Sequence, residues 1–431
     1  MVAVRILPSR LNGVVSAPPS KSYTHRAVTL AALSEGESAI RRPLFSRDTK
    51  ATISACRAFG ASMETDDGEI RARGISRLRL PDDVINAENS GTTIRLMTSL
   101  ASLPPEGYVV LTGDHSIRQR PMQPLLDALG LLGVEAWSTR LNGRPPVVVK
   151  AGGFRGGYAE IRGDISSQFV SSLLIAGVHS RRDTNLRVVG KRVSEPYVDA
   201  TVEMIRRYGG TIDQKEPGLY TIPPGQLFKP VDFSVPGDFS SAAFMVAAGA
   251  LAGGEISVRG IDFDLPQADR SILEIAQVLG VRVRVREERG EFQVDGGEIG
   301  GGTFDLANSP DLLPVVATMA LKARDEVRIC GVAHARFKET DRISVLAQEL
   351  GKLGVTVEEQ DDGLVVKPGA RLRKCILDAH DDHRMFMAFC LAGLCSEEGV
   401  VVEGAESVDV SYPGFIQDMR NLGARIEVNS A

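Results

Sequence analysis

A short pattern of apolar and polar positions recurs six times along the chain. In each copy, apolar residues spaced as on one helix face lead to a glycine, and alternating apolar and polar residues follow; residues 272–279 before Gly280 are one example. Helical spacing predicts an amphipathic helix, the glycine predicts its C-terminal end, and the alternation predicts a strand. The six glycines are Gly60, Gly133, Gly209, Gly280, Gly354 and Gly423.

A second set of six segments lies between the first, at the same period of about 70 residues. Each begins with polar residues and continues as a run that is apolar nearly all round, as in "GDFSSAAFMVAAGALA". Such a run predicts a helix buried on every side. One repeat is therefore strand, buried helix, strand, amphipathic helix, strand, strand. Six repeats predict an α/β protein of two similar domains, each with three repeats.

The first turns of the six buried helices are the predicted location of function. Unpaired backbone N–H groups and the positive end of the helix dipole favour phosphate or carboxylate there. The simpler interpretation is that Ser and Asp occur there only because they are good N-caps. That interpretation does not explain four residues in these turns: Lys21, Arg26, Gln168 and Arg384. If the repeats bring these helix ends together, they form one anion-binding cleft.

Composition and charge exclude some classes of protein. The 431 residues are 43% hydrophobic and 24% charged, as in a globular protein, and the formal net charge of −5 gives no general attraction to nucleic acid or an anionic membrane. The sequence has no apolar run as long as a membrane span and no secretory signal, which predicts a cytoplasmic protein. The cysteines form no CxxC pair and are predicted to be reduced core thiols: Cys56, Cys330, Cys375, Cys390 and Cys395.

Three charged motifs are candidate sites. Ser22 and Arg26, next to Lys21, share a helix face on which both can hold a phosphate; the alternative is a solvated first turn. The motif "RFKETDRI" places Glu339 between cations, which suits proton transfer beside a bound anion, although such a run is more often a solvated helix face. The motif "HDDHRM" is open to interpretation as a metal cluster, but its residues are adjacent in sequence and Arg384 would oppose a cation.

Two further motifs have both a structural and a chemical interpretation. Arg118 and Arg120 precede Pro121 in a predicted loop, from which a guanidinium can clamp an oxyanion. Asp311, in "NSPDLLP", is either the N-cap of a helix or a base at its mouth. The sequence contains no P-loop, no GxGxxG after a strand and no GxSxG elbow.

Eight segments, in order along the whole chain, resemble the 5-enolpyruvylshikimate-3-phosphate synthases, a family of enolpyruvyl transferases. The segments are "PPSKSYTHRA", "NSGTTIRL", "GDHSIRQRPM", "SSQF", "PGDFSSAAF", "SPDLLP", "RFKETDRI" and "DDHRM". The resemblance implies two domains, each of three βαβαββ repeats around buried helices (an inside-out α/β barrel), joined by a two-stranded hinge near 17–20 and 236–238. Residues 20–236 would bind mainly shikimate 3-phosphate, and 1–19 with 237–431 would form a discontinuous domain. The two domains are expected to close on ligand.

The resemblance also implies an activity. The enolpyruvyl group of phosphoenolpyruvate would pass to the 5-hydroxyl of shikimate 3-phosphate by addition and elimination, releasing phosphate, in the shikimate pathway of aromatic amino-acid biosynthesis. Asp311 is the implied base for the hydroxyl, Glu339 the acid that protonates the vinyl carbon, and Lys21 the third catalytic residue. The family implies no metal and no organic cofactor. It implies small-molecule partners only, without nucleic acid or membrane, and a monomer.

Matching positions assign a set of residues to each substrate. Those for shikimate 3-phosphate are Lys21, Ser22, Arg26, Ser166, Ser167, Gln168, Ser194, Tyr197, Asp311 and Lys338. Those for phosphoenolpyruvate are Lys21, Gly91, Arg120, Gln168, Arg342, His383 and Arg384.

Two positions depart from the family pattern. Val410 stands where the family commonly has Lys before an "SYP" motif, so one phosphate contact is missing or comes from another cation, for instance Arg420 or Arg425. His334 stands where the family often has Asn. Both departures concern contacts to substrate and leave the remaining assignments in place.

Two alternative functions share the implied fold. A UDP-N-acetylglucosamine enolpyruvyl transferase begins its first helix with Lys-Asn and has a reactive Cys in a mobile loop, whereas this chain has Lys21-Ser22 and no Cys between residues 111 and 121. A non-catalytic anion-binding relative would keep the fold and lose turnover. Release of phosphate from the two substrates distinguishes all three.

Overall fold

The structure is a computed structural model that describes residues 2–66, 68–369 and 371–429. The chain divides into a continuous unit, Pro19–Val235, and a discontinuous unit, Met1–Pro18 with Pro236–Ala431. It therefore passes from one unit to the other twice. Which substrate each predicted domain binds stays a prediction. Within the described ranges, no helix combines the length and the apolar character needed to span a membrane.

Strands and helices alternate along both units in the order that the repeats predict. The strands are β1 (Ala3–Leu7), β2 (Gly13–Ser16), β3 (Gly36–Arg41), β4 (Ser62–Asp66), β5 (Glu69–Gly74), β6 (Ile85–Asn86), β7 (Tyr108–Thr112), β8 (Ala136–Ser138), β9 (Val147–Lys150), β10 (Gly157–Arg162), β11 (Thr184–Val189), β12 (Asp213–Glu216), β13 (Leu219–Ile222), β14 (Phe233–Ser234), β15 (Glu255–Arg259), β16 (Arg282–Arg286), β17 (Glu291–Asp295), β18 (Gly302–Asp305), β19 (Val327–Cys330), β20 (Val357–Gln360), β21 (Gly363–Val366), β22 (Ile376–Asp378), β23 (Val400–Glu403) and β24 (Arg425–Asn429). The α-helices are α1 (Lys21–Ala32), α2 (Arg47–Ala58), α3 (Gly91–Leu100), α4 (Gln123–Leu131), α5 (Ser167–Gly177), α6 (Glu195–Arg207), α7 (Phe239–Ala252), α8 (Ile272–Val278), α9 (Leu313–Met319), α10 (Arg342–Lys352), α11 (His383–Cys395) and α12 (Phe415–Asn421).

The described strands form six four-stranded sheets with one shared topology. In the spatial order of every sheet, the first and second strands pair in parallel. The second and third strands, and the third and fourth, pair antiparallel, which is the βαβαββ pattern. The strand orders are β14-β3-β5-β4, β6-β7-β9-β8 and β10-β11-β13-β12 in the continuous unit, and β2-β15-β17-β16, β18-β19-β21-β20 and β22-β23-β1-β24 in the discontinuous unit. The predicted α/β repeat is therefore confirmed.

Strands from distant parts of the chain complete three of these sheets. β14, near residue 234, pairs in parallel with β3 and supplies the first strand of the first sheet. β2 pairs with β15, and β1 pairs with both β23 and β24. The segment 3–16 therefore joins the first and the last repeat of the discontinuous unit.

The predicted apolar helices are the core of each unit. In the discontinuous unit α7, α9 and α11 contact one another, and every residue of α7 except Ala252 is buried. A Ser or Asp side chain does act as the N-cap at five of the six helix starts, where it accepts a backbone N–H: Ser20, Ser90, Ser166, Asp238 and Asp382. The sixth helix, α9, follows a 3-10 turn at Pro310–Leu312, and Asp311 within that turn is not a cap.

The six predicted glycines follow the second helix of each repeat. Each comes one residue after the C-cap and has a positive φ between 83° and 105°, a conformation that glycine adopts without steric penalty. All five cysteines are free thiols, as predicted, but only Cys56 and Cys390 are buried and the other three are partly buried. Burial raises the pKa of Cys56 to about 12, so this thiol is uncharged at neutral pH.

Candidate active site

Arg342 lies at the centre of a group of carboxylates in the discontinuous unit. Its side chain is 1% exposed and donates to Asp311 Oδ1 and to Glu339 Oε2, each at 2.8 Å. It also reaches both carboxylate oxygens of Asp382, at 2.7 and 3.3 Å. Burial lowers the pKa of Arg342, but the three carboxylates outweigh burial and raise it, so the guanidinium is charged. A solvated helix face is therefore wrong for this residue.

Asp311 is shared by three cations. Besides its bond to Arg342, it accepts from Arg384 Nη2 at 2.8 Å, and Lys338 Nζ lies 3.6 Å from its Oδ1. Burial raises the pKa of Asp311, but the charges of Arg384, Lys338 and Arg342 outweigh burial and hold the pKa well below its usual range. The carboxylate is thus ionised at neutral pH, as a proton acceptor must be.

Helix starts bring these side chains together. Asp341 caps α10 by accepting the N–H of Ser344 at 3.1 Å, and Arg342 is the first residue of that helix. Asp382 caps α11 through the N–H of Arg384 at 2.8 Å and bonds Arg342 with the same carboxylate. His383, 1% exposed, lies between them in sequence. Here the structure groups the predicted residues Asp311, Lys338, Glu339, Arg342, His383 and Arg384.

Asp269 adds a carboxyl group to this region that the sequence analysis missed. It is 1% exposed and accepts a hydrogen bond from the hydroxyl of Ser240, whose carbonyl oxygen lies 3.5 Å from Arg384 Nη1. Burial, with a further contribution from the charge of Asp311, raises the pKa of Asp269 to about 7. No sequence signal marks it, because "PQADRS" has the composition of an ordinary exposed helix start.

In the continuous unit, Arg26 joins α1 to α6. Its Nε donates to Thr201 Oγ1 at 2.8 Å, and its Nη2 donates to the carbonyl of Tyr197 at 2.7 Å. Its Nη1 donates to the carbonyl of Ser22 at 2.9 Å. Arg26 is only 4% exposed, and burial lowers its pKa to about 10, so it remains charged at neutral pH. The alternative of a solvated first turn does not describe this residue.

Ser194, Tyr197 and Lys21 also occupy helix starts. Ser194 precedes α6 with φ of 57° and is 5% exposed, a left-handed conformation that is uncommon outside glycine and often marks a functional position. Its carbonyl accepts the N–H of Tyr197 at 3.1 Å. Lys21 begins α1, and its Nζ lies 3.2 Å from Asp48 Oδ2 in the first turn of α2. Asp48 is a partner that the sequence analysis did not name.

Gly91 begins α3, and Arg120 lies against it. A Cβ added at Gly91 would be 2.6 Å from Arg120 Nη1, so the present position of the guanidinium requires glycine. Arg120 is 5% exposed, and its Nη2 lies 3.3 Å from both Asn89 Oδ1 and Ser116 Oγ. The structure thus places a buried guanidinium beside the first turn of a helix, an arrangement that suits an oxyanion.

Arg95 holds the start of α5 and was also missed by the sequence analysis. Its Nη1 donates to Gln168 Oε1 at 2.6 Å and to Ser166 Oγ at 3.3 Å. Gln168 Nε2 in turn donates to Thr92 Oγ1 at 3.0 Å, so both ends of the amide are fixed. Ser167, the first residue of α5, is 7% exposed. A signal was available, because Arg95 is an arginine within an otherwise apolar run, "IRLM".

The two departures from the family pattern are both buried. Val410 ends the 3-10 segment Ala405–Val410 and is 5% exposed, and His334 is 5% exposed. The cations considered as substitutes bond elsewhere: Arg420 donates to the carbonyl of Ile426 at 2.9 Å, and Arg425 to that of Pro8 at 2.8 Å. These contacts do not favour either arginine as a replacement for the missing Lys.

Both units therefore present cations at helix starts, and the discontinuous unit adds ionisable carboxyl groups among them. Guanidinium groups hold carboxylates and phosphates bidentately, and a carboxyl group beside a bound anion can give or take a proton. The arrangement within the discontinuous unit can bind an organic anion and move protons on it.

Comparisons with known proteins agree with this chemistry. A family model described as EPSP synthase (3-phosphoshikimate 1-carboxyvinyltransferase) matches residues 7–419. The chain is 47% identical to the 3-phosphoshikimate 1-carboxyvinyltransferase of Methanothermobacter thermautotrophicus, over 97% of this chain and 98% of that protein. It is 42% identical to the protein of the same name from Nitrosopumilus maritimus, over 98% and 99%.

Solved structures show the same fold over the whole length. An EPSP synthase structure from Acinetobacter baumannii is 25% identical and superposes with a TM-score of 0.84, covering 100% of both chains. The enolpyruvyl transferase NikO from Streptomyces tendae, 21% identical with a TM-score of 0.81 over 100% and 99% of the two chains, shares the fold. The predicted fold class is confirmed, and the chain belongs to the EPSP synthase (3-phosphoshikimate 1-carboxyvinyltransferase) family.

Proposed function

We propose that this protein is a transferase that moves the enolpyruvyl group of phosphoenolpyruvate to the 5-hydroxyl of shikimate 3-phosphate and releases phosphate. Membership in the family supports the reaction. The single structural observation that supports it most directly is the ion-pair cluster in which Arg342 bonds Asp311 and Glu339 and Arg384 bonds Asp311. In this cluster, the cations that can bind an anion contact the carboxyl groups that can transfer protons.

In this proposal, phosphoenolpyruvate binds the guanidinium groups of Arg342 and Arg384 in place of the carboxylate of Asp311. Its phosphate and carboxylate are better bidentate partners for Arg342 and Arg384 than a single protein carboxylate. Once these cations face the substrate, Asp311 loses part of the positive charge that holds its pKa well below the usual range. Its pKa then rises toward neutrality, and a carboxylate with a higher pKa is a stronger base for the attacking hydroxyl.

Glu339 acts as the acid in the addition step. An anion bound to Arg342 lies beside Glu339 and favours the protonated form of that carboxyl group, which is the form that can donate. Protonation of the vinyl carbon develops oxocarbenium character, which a nearby carboxylate stabilises. The shikimate hydroxyl then attacks the adjacent carbon, and Asp311 accepts its proton. In the elimination, the methyl group returns a proton to the ionised Glu339 as the carbon–oxygen bond to phosphate breaks, which forms the enol ether, and the proton held by Asp311 leaves with the phosphate.

The continuous unit supplies groups that suit a phosphorylated ring. Arg26 keeps one free N–H on each terminal nitrogen after its contacts to Ser22 and Tyr197. Lys21 and Gln168 present an ammonium and a fixed amide at two other helix starts. We assign shikimate 3-phosphate to Lys21, Ser22, Arg26, Ser166, Ser167, Gln168, Ser194, Tyr197, Asp311 and Lys338. We assign phosphoenolpyruvate to Lys21, Gly91, Arg120, Gln168, Arg342, His383 and Arg384.

The test is phosphate release measured with each substrate alone and with both. We expect release only with both, and no release when UDP-N-acetylglucosamine replaces shikimate 3-phosphate. Glu339→Gln and Asp311→Asn keep side-chain size but change proton transfer, so kcat falls by about 10²-fold or more in each. Glu358→Gln, on an exposed carboxylate 3.3 Å from Lys367, is the control and keeps wild-type turnover. Binding of both substrates to wild-type protein without turnover would reject the function.

Three further expectations stay predictions. Ligand-driven closure of the two units predicts a smaller radius of gyration by small-angle scattering when both substrates are present at saturation. The monomeric state is checked by light scattering, and the cytoplasmic location by cell fractionation.

A further inference from the structure

The turn before α11 has an unfavourable backbone conformation next to the proposed anion-binding residues. His380 and Asp381 have φ of 50° and 57°, so two consecutive residues other than glycine are left-handed. The next three residues are Asp382, which bonds Arg342, then His383 and Arg384. Such a turn persists only when its surroundings fix it.

Glu349 is the buried group that fixes this turn. Its side chain is 1% exposed, and its Oε2 accepts the N–H of Asp378 at 3.0 Å and Lys352 Nζ at 2.7 Å. Its Oε1 lies 3.3 Å from His380 Nε2. The N–H of His380 also donates to Asp378 Oδ1 at 2.8 Å, which closes the turn on itself. The chemistry proposed above makes no use of Glu349.

Helix α10 therefore holds the turn at both ends. Arg342, the first residue of α10, bonds Asp382 after the turn, and Glu349 bonds Asp378 and His380 in front of and within it. Glu349 comes seven residues after Arg342, which is two helical turns or about 10 Å along the same face. The two contacts fix the direction in which the chain enters α11 and hence the position of Arg384.

We propose that Glu349 is a positioning residue for enolpyruvyl transfer: by holding the turn at His380 and Asp381 in its left-handed conformation, it places Asp382 and Arg384 for phosphoenolpyruvate. This inference rests on the function proposed above. The alternative is that Glu349 only stabilises the fold. In that case, replacing Glu349 lowers the stability of the protein and does not raise the KM of one substrate more than that of the other.

The first experiment compares Glu349→Ala with Leu350→Ala, a truncation of the neighbouring core residue in α10, which is 0% exposed. Wild-type turnover is measured first, so that failure of the proposed function is seen separately. In folded Glu349→Ala, KM for phosphoenolpyruvate rises by about tenfold or more and KM for shikimate 3-phosphate stays within about twofold. Glu349→Gln, which can still accept from Asp378, restores most of the affinity. Leu350→Ala lowers the melting temperature and leaves both KM values near wild type.

The second experiment remains informative if Glu349→Ala does not fold. His380 has a side chain that is 34% exposed, so its replacement is tolerated. His380→Ala and His380→Gly both lose the imidazole contact, but only glycine adopts the left-handed conformation without penalty. KM for phosphoenolpyruvate therefore rises more in His380→Ala than in His380→Gly. The proposal is overturned if Glu349→Ala raises that KM no more than Leu350→Ala, if both substrates weaken alike, or if the two His380 variants are equal.

Discussion

Replacing Gly91 by alanine tests the proposed role of Arg120 with one added methyl group. The new Cβ would lie 2.6 Å from Arg120 Nη1 and 3.5 Å from Arg95 Nη1. An ordinary contact is near 3.5 Å, so the Arg120 guanidinium must move by about 1 Å, which its flexible side chain allows at little cost to folding. Alanine also favours the helix over glycine by up to about 1 kcal/mol. Stability should therefore be unchanged or slightly raised.

The expected cost is in substrate binding. A charge-assisted contact is worth about 1.5–3 kcal/mol, and a displacement of about 1 Å forfeits about half of it or more. KM for phosphoenolpyruvate should then rise by about tenfold, because 1.4 kcal/mol corresponds to a factor of ten. KM for shikimate 3-phosphate should change by less than about twofold, since Arg26 and Tyr197 lie on α1 and α6.

Steady-state phosphate release decides the prediction, with each substrate varied at saturation of the other. Gly130→Ala is the matched control, because Gly130 lies within α4 and a Cβ there has nothing within 4 Å. The control should keep both KM values while sharing the gain in helix propensity. A folded Gly91→Ala protein with unchanged KM for phosphoenolpyruvate would remove Arg120 from the proposed set of ligand contacts.

Three other predictions follow from buried charge. Burial raises the pKa of Asp269 to about 7, so the folded state holds this proton more tightly than the unfolded chain, and stability falls as pH rises from about 4 to 7 by about 1.4 kcal/mol per pH unit. In Asp269→Asn, urea unfolding across that range should lack this slope; parallel curves for both proteins would contradict the assignment. Arg342→Met leaves three carboxylates without their central partner and should lower the free energy of unfolding, measured by thermal unfolding, by about 3–5 kcal/mol. Arg328→Met, which breaks a surface pair with Glu326 at 3.2 Å, is the control and should lower it by about 1 kcal/mol or less. Val410→Lys should lower KM for phosphoenolpyruvate by up to about tenfold and should gain thermal stability when that substrate is added, because a buried ammonium needs an anion; a flat or higher KM speaks against a missing contact.

The repeat and its boundaries could be predicted from sequence because their signals are local. The period of the apolar residues and the glycine at each helix end depend only on neighbours along the chain, and Gly280 and its five counterparts have the expected positive φ. The start of α9 was less regular than predicted, since Pro310 and Pro314 lack the N–H groups of a first helical turn and a 3-10 turn precedes the helix.

The remaining parts of the site depend on contacts between distant segments. Asp269 and Glu349 lie in stretches that look like ordinary amphipathic helices, and only folding places one beside Ser240 and the other beside His380. The left-handed turn at His380 and Asp381 contains no glycine, so the sequence does not indicate its conformation. Most of the predicted site residues were assigned by resemblance to a family, and Lys21, Arg26 and Asp311 were also reached from the residue pattern. Arg95 had a sequence signal of its own, whereas Asp269 and Glu349 had none that could be interpreted without the fold.

The closure of the last sheet by β1 has a consequence for synthesis on the ribosome. The continuous unit has all its strands once residue 234 is made, so it can fold while the rest is still being translated. β1, at residues 3–7, pairs with β24 at residues 425–429 and must wait for nearly the whole chain. At about 5 to 20 residues per second, that wait is about 20 to 80 s. During this time the backbone N–H and C=O groups of "AVRIL" lack their partners in β23 and β24, which leaves this segment able to pair with another chain.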